Sequence, residues 1–173
     1  VVATDALEMP IIDGSAQTFL QKLQEVGVIK QNAPRKYVKV LQKVEVSDDK
    51  GNIISLEPAD DLYINFVIEF PSKIVGRQEF DSVINKEIFT KEISPCRTFC
   101  EKYQIDYLRS IGLIKGGSLE NGVVLDGDTI LNPGGFKVKN ECVNHKVLDA
   151  IGDMYTAGFP LLGKLTANKT GHY

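Results

Sequence analysis

The sequence predicts an α+β protein with a two-layer sandwich architecture. Strand patterns come first, over residues 37–46, 53–56 and 62–70, and helical patterns are interspersed with strands after them. The helices and strands do not alternate regularly, as they do in parallel βαβ folds. This order favours a sheet with helices packed on it, rather than a doubly wound parallel sheet.

The first predicted helix covers residues 16–26, where apolar residues recur at helical spacing. Asp13 or Ser15 can cap its N-terminus, and Gly27 suits its C-terminal stop. The polar segment 31–34 follows and ends in a proline, which disfavours helix in the residue before it. We interpret this segment as a domain boundary.

The boundary separates residues 1–33 from a larger α+β domain, residues 34–173. Alternating and β-branched runs predict the strands of that domain, and 3.6-residue spacing predicts its helices. The elements in chain order are strands at 37–46, 53–56 and 62–70, helices at 84–94 and 103–111, strands at 123–125 and 129–131, a helix at 144–157 and a strand at 164–167. We interpret Asp126-Gly127-Asp128 as a hairpin turn rather than a calcium loop.

Composition excludes several classes of function. Of the 173 residues, 43% are hydrophobic and 25% charged, as in ordinary globular proteins. The net charge of −3 argues against a nucleic-acid surface or an anionic-membrane surface. The apolar runs are too short to span a bilayer. Residues 1–6 lack the basic and apolar regions of a signal peptide, and they read as part of a strand.

Three cysteines, Cys96, Cys100 and Cys142, form no even disulfide framework. We therefore expect a reducing cytosol, and a cytoplasmic protein. Cys96 and Cys100 could form half of a metal site. Because no second cysteine or histidine pair accompanies them, we interpret them as two buried thiols. We also expect a monomer.

The segment 145–153, HKVLDAIGD, is the most informative part of the chain. In a helix, His145, Asp149 and Asp153 fall along one stripe with about 6 Å between neighbours. An imidazole and a carboxylate one turn apart can both reach a single divalent ion, as in the two-histidine helix motif of zinc hydrolases. The opposite side of the helix is apolar and can pack against a core: Val147, Leu148 and Ile151.

The same stripe has a simpler interpretation, a solvated ion pair or hydrogen bond. A catalytic tetrahedral zinc needs three protein ligands and a water, and the spacing supplies only two. His172, the other histidine of the chain, is one candidate for the third ligand. The three cysteines are the other candidates.

Seven blocks together resemble the bacterial UDP-3-O-acyl-N-acetylglucosamine deacetylases, zinc enzymes that commit precursors to lipid A. The blocks are 10–16 (PIIDGSA), 31–34 (QNAP), 97–99 (RTF), 116–121 (GGSLEN), 131–135 (LNPGG), 145–153 and 171–172 (GH). Their order and spacing agree over essentially the whole chain. The resemblance implies a fold of two domains, each a small sheet with two helices on one face, whose helices face one another around the zinc.

The resemblance also implies roles for the residues of the stripe. His145 and Asp149 match two of the three zinc ligands of the family. His172 matches the catalytic histidine, which works protonated and helps the amine leave. Asp153 matches the carboxylate that orients that histidine. The implied cofactor is Zn²⁺.

Further matches concern the substrate, a UDP-linked acylated glucosamine. Thr98 matches a hydroxyl that supports the oxyanion, and Phe99 an aromatic contact to the substrate. Lys146 matches a basic residue at the substrate end of the site. Ile105 and Gly117 match the insert, near residues 99–122, that forms the apolar passage for the acyl chain. The implied reaction is hydrolysis of the acetamide with release of acetate, in the cytoplasm of a Gram-negative bacterium.

The chain departs from the family pattern at its ends. In the family a Glu-His pair precedes the PIIDGSA block; the glutamate is the general base and the histidine the third zinc ligand. No Glu-His dipeptide occurs in this sequence, and the family continues beyond its Gly-His. Cys142 and Asn144 replace the bulky residue and the arginine common before the histidine. We therefore expect a fragment, with residues 1–33 a remnant of the first domain, that is inactive by itself.

A rival prediction belongs to a different class of protein. In a non-catalytic α+β interaction module, the stripe would make only ion pairs. Zinc content separates the two hypotheses, because a metal held by His145 and Asp149 excludes the rival.

Overall fold

The computed structural model describes residues 9–112, 114 and 116–170, together with Ala3 and Asp5. Within these residues the predicted α+β class is confirmed, with two sheets and helices packed on them. The helices are α1 (Gln17–Val26), α2 (Lys86–Ile88, continued by a π-helix, Phe89–Ile93), α3 (Lys102–Ser110) and α4 (Glu141–Tyr155). The strands are β1 (Val38–Lys39), β2 (Val44–Ser47), β3 (Ile53–Glu57), β4 (Leu62–Glu69), β5 (Arg77–Val83), β6 (Phe99–Glu101), β7 (Val123–Asp126), β8 (Thr129–Ile130) and β9 (Leu161–Asn168).

The larger sheet has the strand order β2-β3-β9-β4-β5, and β1 pairs with the start of β9. β9 runs parallel to β4 and antiparallel to β3. Burial alternates along β9, with Gly163, Leu165 and Ala167 buried, as expected for a strand with one face toward a core. β9, the last strand of the described residues, is therefore central in the sheet.

Gly163 lets β1 and β3 share one edge of β9. A Cβ atom built at Gly163 would lie 2.6 Å from Val40 Cγ2 and 3.1 Å from the carbonyl oxygen of Glu57. The first distance is too short for a real contact and the second is tight, so a side chain at position 163 would force Val40, which follows β1, to shift and would crowd the end of β3. A glycine inside a strand often marks such a close approach.

Helix α4 packs against β4, β5 and the π-helix and so completes the second layer. Val143 and Val147 are fully buried on its inner side, in one cluster with Ile64 and Leu165 of the sheet. Burying each aliphatic side chain of this kind stabilises the fold by about 1.5–3 kcal/mol. The apolar side of the helix is thus fixed to the sheet, and its polar stripe is turned to one side of the core.

The smaller sheet has the order β6-β7-β8, with β6 parallel to β7 and β7 antiparallel to β8. Asn132 fastens it to the preceding loop. Its side-chain oxygen accepts from the Val124 N–H at 2.7 Å, and its amide donates to the carbonyls of Leu119 (2.7 Å) and Gly122 (2.8 Å). This buried amide ties β7 to the end of the preceding loop.

Several element boundaries differ from the sequence-based predictions. Helix α4 begins at Glu141, three residues before the predicted start, and the predicted strand 37–46 is split into β1 and β2. β5 was not predicted because, at the edge of the sheet, Phe80 is its only buried residue. β6 has only three residues, too few for a period to show.

The cysteine prediction was partly wrong. Cys96 and Cys142 are buried and unpaired, but Cys100 is only half-buried, at the middle of β6. No described helix has the length and apolar character needed to cross a bilayer. The proposed division at residue 33 stays a prediction.

Candidate functional site

The first two residues of the predicted stripe meet on α4 at one turn's spacing. His145 Nε2 lies 3.3 Å from Asp149 Oδ1. His145 is only 7% exposed, whereas the Asp149 side chain is about one quarter exposed. The imidazole is therefore held within the protein and the carboxylate reaches toward solvent.

The backbone fixes the tautomer of His145. Its Nδ1 lies 3.0 Å from the carbonyl oxygen of Cys96. Because a carbonyl only accepts hydrogen bonds, Nδ1 carries the proton and donates it. The lone pair of the neutral ring then resides on Nε2, the atom that faces Asp149. Metal-binding histidines are commonly oriented in this way through their second nitrogen.

The pKa of His145 also favours the neutral ring. Burial lowers the pKa below its ordinary value of 6.5, and the charge of Asp149 opposes the shift only in part. The neutral imidazole is the form that binds metal ions.

The two donor atoms, His145 Nε2 and Asp149 Oδ1, have the geometry of half of a zinc site. A nitrogen and a carboxylate oxygen bound to one tetrahedral zinc lie about 3.4 Å apart, given bond lengths of about 2.0–2.2 Å. The observed 3.3 Å between His145 Nε2 and Asp149 Oδ1 is close to that separation. No group of three His, Cys, Asp or Glu side chains converges among the described residues. A complete zinc site would need further ligands from outside the described residues.

Lys146 connects this pair to the small sheet. Its Nζ lies 3.0 Å from Asp149 Oδ2 and 5.7 Å from the centre of the Phe99 ring. The ammonium therefore contacts a carboxylate and the face of an aromatic ring together, an arrangement that stabilises a cation. Phe99 in turn packs edge-on against Phe70, with ring centres 5.5 Å apart.

The described site residues other than His145 line three cavities. The first, of about 290 Å³, is lined by Lys146, Asp149 and Asp153 together with residues of β2, β3 and β9. The second, of about 610 Å³, is lined by Phe99 and Lys146. The third, of about 1130 Å³, lies between the insert and the segment at residues 9–12. Lys146 borders the first two cavities, and Cys100 borders the second and third.

The third cavity collects Thr98, Ile105 and Gly117. Its wall is largely apolar, and residues on both sides of the predicted domain boundary contribute to it: Met9, Pro10, Ile11, Ile12, Ile114, Leu119, Val124 and Leu131. The structure thus brings the predicted passage residues together and places Thr98 at the same cavity. His172, the remaining predicted site residue, lies outside the described residues.

The backbone of Thr98 is held on both sides. Its N–H donates to the Gly14 carbonyl at 2.8 Å, and its carbonyl accepts from the Val123 N–H at 2.7 Å. Gly14 has φ +77°, and a Cβ there would lie 2.2 Å from the carbonyl oxygen of Asn121. Only glycine suits this crossing of two chain segments.

Sequence reasoning missed the residues that support the site. Glu141 is fully buried and pairs with Arg97, with 2.8 Å between Glu141 Oε1 and Arg97 Nε. A signal was present, because Glu141 lies four residues before His145 and extends the stripe by one turn. What the spacing could not show is which chain segment the stripe faces.

Comparison with known proteins gives a consistent result. Residues 1–173 match the family described as UDP-3-O-acyl N-acetylglycosamine deacetylase. The chain is 43% identical, over 172 residues, to a UDP-3-O-acyl-N-acetylglucosamine deacetylase of Phenylobacterium zucineum (strain HLK1). It is 44% and 45% identical to proteins of that name from Anaeromyxobacter sp. (strain Fw109-5) and Shewanella sp. (strain W3-18-1).

Each of these alignments covers 99% of this chain but only 56–58% of the relative. The chain therefore spans little more than half the length of the curated relatives it matches.

Proposed function

This chain belongs to the UDP-3-O-acyl N-acetylglycosamine deacetylase family, and from that membership we propose that the full-length protein hydrolyses the acetamide of a UDP-linked 3-O-acyl-N-acetylglucosamine. The products are acetate and the free amine, at the committed step of lipid A biosynthesis. The observation that carries the proposal is the pair of His145 Nε2 and Asp149 Oδ1, which lie 3.3 Å apart. Asp149 also lines the first cavity.

We propose that His145 and Asp149 hold Zn²⁺ and that the family's upstream histidine supplies the third ligand. Their geometry supports this, since the hydrogen bond from Nδ1 to Cys96 leaves Nε2 free to bind a metal. The zinc ion, when bound, supplies Lewis-acid activation of water and of the acetamide carbonyl. All other steps depend on protein side chains.

Three further side chains have separate tasks in the proposed reaction. Thr98 donates a hydrogen bond to the oxyanion that develops on the acetamide carbonyl, and fixed donors of this kind typically contribute 10²–10³-fold to the rate. His172, in its protonated form, gives a proton to the departing amine. Asp153, on the last turn of the stripe, orients that imidazole and favours its charged form.

The cavities suggest how the substrate is held. Phe99 and Lys146, at the second cavity, contact the sugar nucleotide, since a cation and an aromatic face suit a phosphorylated sugar. The third cavity takes the acyl chain, because apolar side chains form much of its wall and its volume is about 1130 Å³. We place the reaction in the bacterial cytoplasm, consistent with unpaired cysteines, and we keep the monomer as a prediction.

The test is zinc content and acetate release in the full-length protein. We expect wild-type protein to hold one zinc and to release acetate, and His145→Ala to lose both. Tyr155→Phe, on the same helix but away from the pair, is the matched control and keeps both. A wild-type protein that binds no zinc would refute the proposal in favour of an interaction module, in which Asp149 only pairs with His145 and Lys146.

A further inference from the structure

We propose that the buried carboxylate of Glu141 tunes the metal affinity of His145 through a single peptide group, the one between Cys96 and Arg97. The inference rests on the proposed function, because it assumes that His145 binds zinc. It assigns a role to Glu141 and to the backbone at Cys96, neither of which belongs to the ligand set.

The peptide group is bound at both ends by side chains of α4. Its carbonyl, on Cys96, accepts from His145 Nδ1–H at 3.0 Å. Its N–H, on Arg97, donates to Glu141 Oε1 at 3.0 Å. Glu141 and His145 are four residues apart on the helix, so two successive turns clamp the two ends of one peptide plane.

The bonds form a continuous chain from a negative charge to the ligand nitrogen. The chain runs from the Glu141 carboxylate through the Arg97 N–H and the Cys96 carbonyl to the His145 ring. An acceptor on a peptide N–H polarises the peptide and makes its carbonyl a stronger acceptor, since hydrogen bonds in series strengthen one another. A stronger acceptor at Nδ1–H raises the basicity of Nε2 and so strengthens its bond to a metal.

The surroundings hold the carboxylate in place. The Glu141 side chain has no exposed surface, and that of Arg97 is only 8% exposed. Besides the Arg97 backbone, Glu141 accepts from Arg97 Nε at 2.8 Å, from Arg97 Nη2 at 3.2 Å and from the Lys137 N–H at 2.6 Å. Arg97 Nη2 also donates to the Gly135 carbonyl at 2.8 Å.

These contacts make Glu141 a positioning residue for two parts of the site. The residue before Arg97 supplies the carbonyl that orients His145, and the residue after it is Thr98, at the third cavity. One carboxylate therefore fixes the metal ligand and the proposed oxyanion donor relative to the same helix.

The experiment uses the full-length protein and its Glu141→Gln variant, which keeps the shape and removes the charge. The dissociation constant for Zn²⁺ is measured by competition with a chelator, and we expect Glu141→Gln to weaken it by about 10–100-fold, as for other supporting partners of metal ligands. Asn132→Ala is the matched control. Asn132 is likewise buried and makes three hydrogen bonds to the backbone, and its replacement should leave the zinc dissociation constant unchanged.

A second measurement needs no variant and so does not depend on the folding of Glu141→Gln. Zinc added to the metal-free wild-type protein should shift the NMR signal of the Arg97 backbone amide together with the ring nitrogens of His145, because both belong to the chain of bonds. The metal-free ring should already show the Nδ1–H tautomer.

Three results would each overturn the inference. The zinc affinity of Glu141→Gln could equal that of wild type, or Asn132→Ala could weaken zinc binding as much as Glu141→Gln does. The third is an Arg97 amide signal that stays unchanged on zinc addition while the His145 signals shift. These outcomes all require a wild-type protein that binds zinc. Absence of zinc binding in the wild type would instead refute the proposed function.

Discussion

Helices α1 and α4 are both amphipathic, yet the structure uses them in opposite ways. Six residues of α4 are buried, including the fully buried Val143 and Val147, whereas no residue of α1 is buried. In α1 the apolar Leu23 is 53% exposed and Val26 is 87% exposed. An apolar stripe therefore predicts that a helix packs on something, but not what it packs on.

The difference explains where the chemistry lies. A polar side chain can be held in a fixed position only where its helix is itself fixed, and most helical stability in proteins comes from packing. α4 is anchored to β4 and β5, so His145 and Asp149 keep their spacing. The backbone contact at the start of α1 is a hydrogen bond from the Ala16 N–H to the Ser94 carbonyl, at 3.0 Å.

The largest expected effect is the loss of deacetylation and of tight zinc binding in a polypeptide that contains only part of the site. A polypeptide of residues 1–173 contains α4 but no Glu-His pair, and we expect it to bind zinc weakly and to show no measurable deacetylation. Loss of the general base alone should cost 10²–10⁴-fold, or about 3–5 kcal/mol in the activation barrier. The assay is acetate release with and without added zinc, beside the full-length protein. Robust turnover would show that α4 and its surroundings suffice and that the assigned roles are wrong.

The next largest effect tests whether His172 is a zinc ligand or a proton donor. In the full-length protein, His172→Ala should lower turnover by about 10²–10⁴-fold and leave the zinc content unchanged, because His172 is proposed to give a proton and not to bind metal. Metal analysis and a rate assay on the same sample decide this. Loss of zinc would make His172 a ligand, the role that spacing alone left open.

A stability comparison tests the two helices directly. Val147→Ala should lower the free energy of unfolding by about 2 kcal/mol, since it removes buried methyl groups from a packed core. Leu23→Ala should change it by less than about 0.5 kcal/mol in residues 1–173, because Leu23 is more than half exposed. Urea unfolding measures both.

The same pair of variants sharpens the comparison in the full-length protein. A larger effect of Leu23→Ala there would show that its exposed side is covered by another part of the protein. Equal effects of the two substitutions in residues 1–173 would contradict the contrast drawn between α1 and α4.

The smallest expected effect is a pH dependence of the free energy of unfolding that arises from His145 in α4 and has no counterpart in α1. Burial lowers the pKa of His145 in the folded state, so the unfolded chain takes up the proton first as the pH falls below about 6.5. The stability that neutral His145 contributes is therefore fully present above pH 6.5 and is lost as the pH falls toward the lower, folded pKa. The measurement is the difference in unfolding free energy between metal-free wild type and His145→Gln.

As the pH decreases, the unfolding free energy of the wild type should fall relative to that of His145→Gln. The corresponding difference between wild type and Leu23→Ala should stay flat, since α1 contains no histidine. A flat difference for His145→Gln as well would mean that burial does not shift the pKa of His145.

The sequence predicted much of the fold, because the regular spacing of apolar residues can be recognised without tertiary information. The α+β class, α1, the β7–β8 hairpin and the long strands β3 and β4 follow from periodicity and turn residues. Edge strand β5, with one buried residue, has no such period. The pairing of β1 with β9 is a tertiary contact, and Gly163 leaves space beside it for Val40.

The candidate site likewise has features that the sequence determined and features that only the tertiary structure decided. By itself the sequence determined the spacing of His145, Asp149 and Asp153, because four residues make about one helical turn in any fold. Only the tertiary structure decided that the Cys96 carbonyl sets the tautomer of His145 and that Glu141 binds the same peptide. Those contacts join residues more than forty positions apart, and the packing of α4, rather than any local pattern, brings them together.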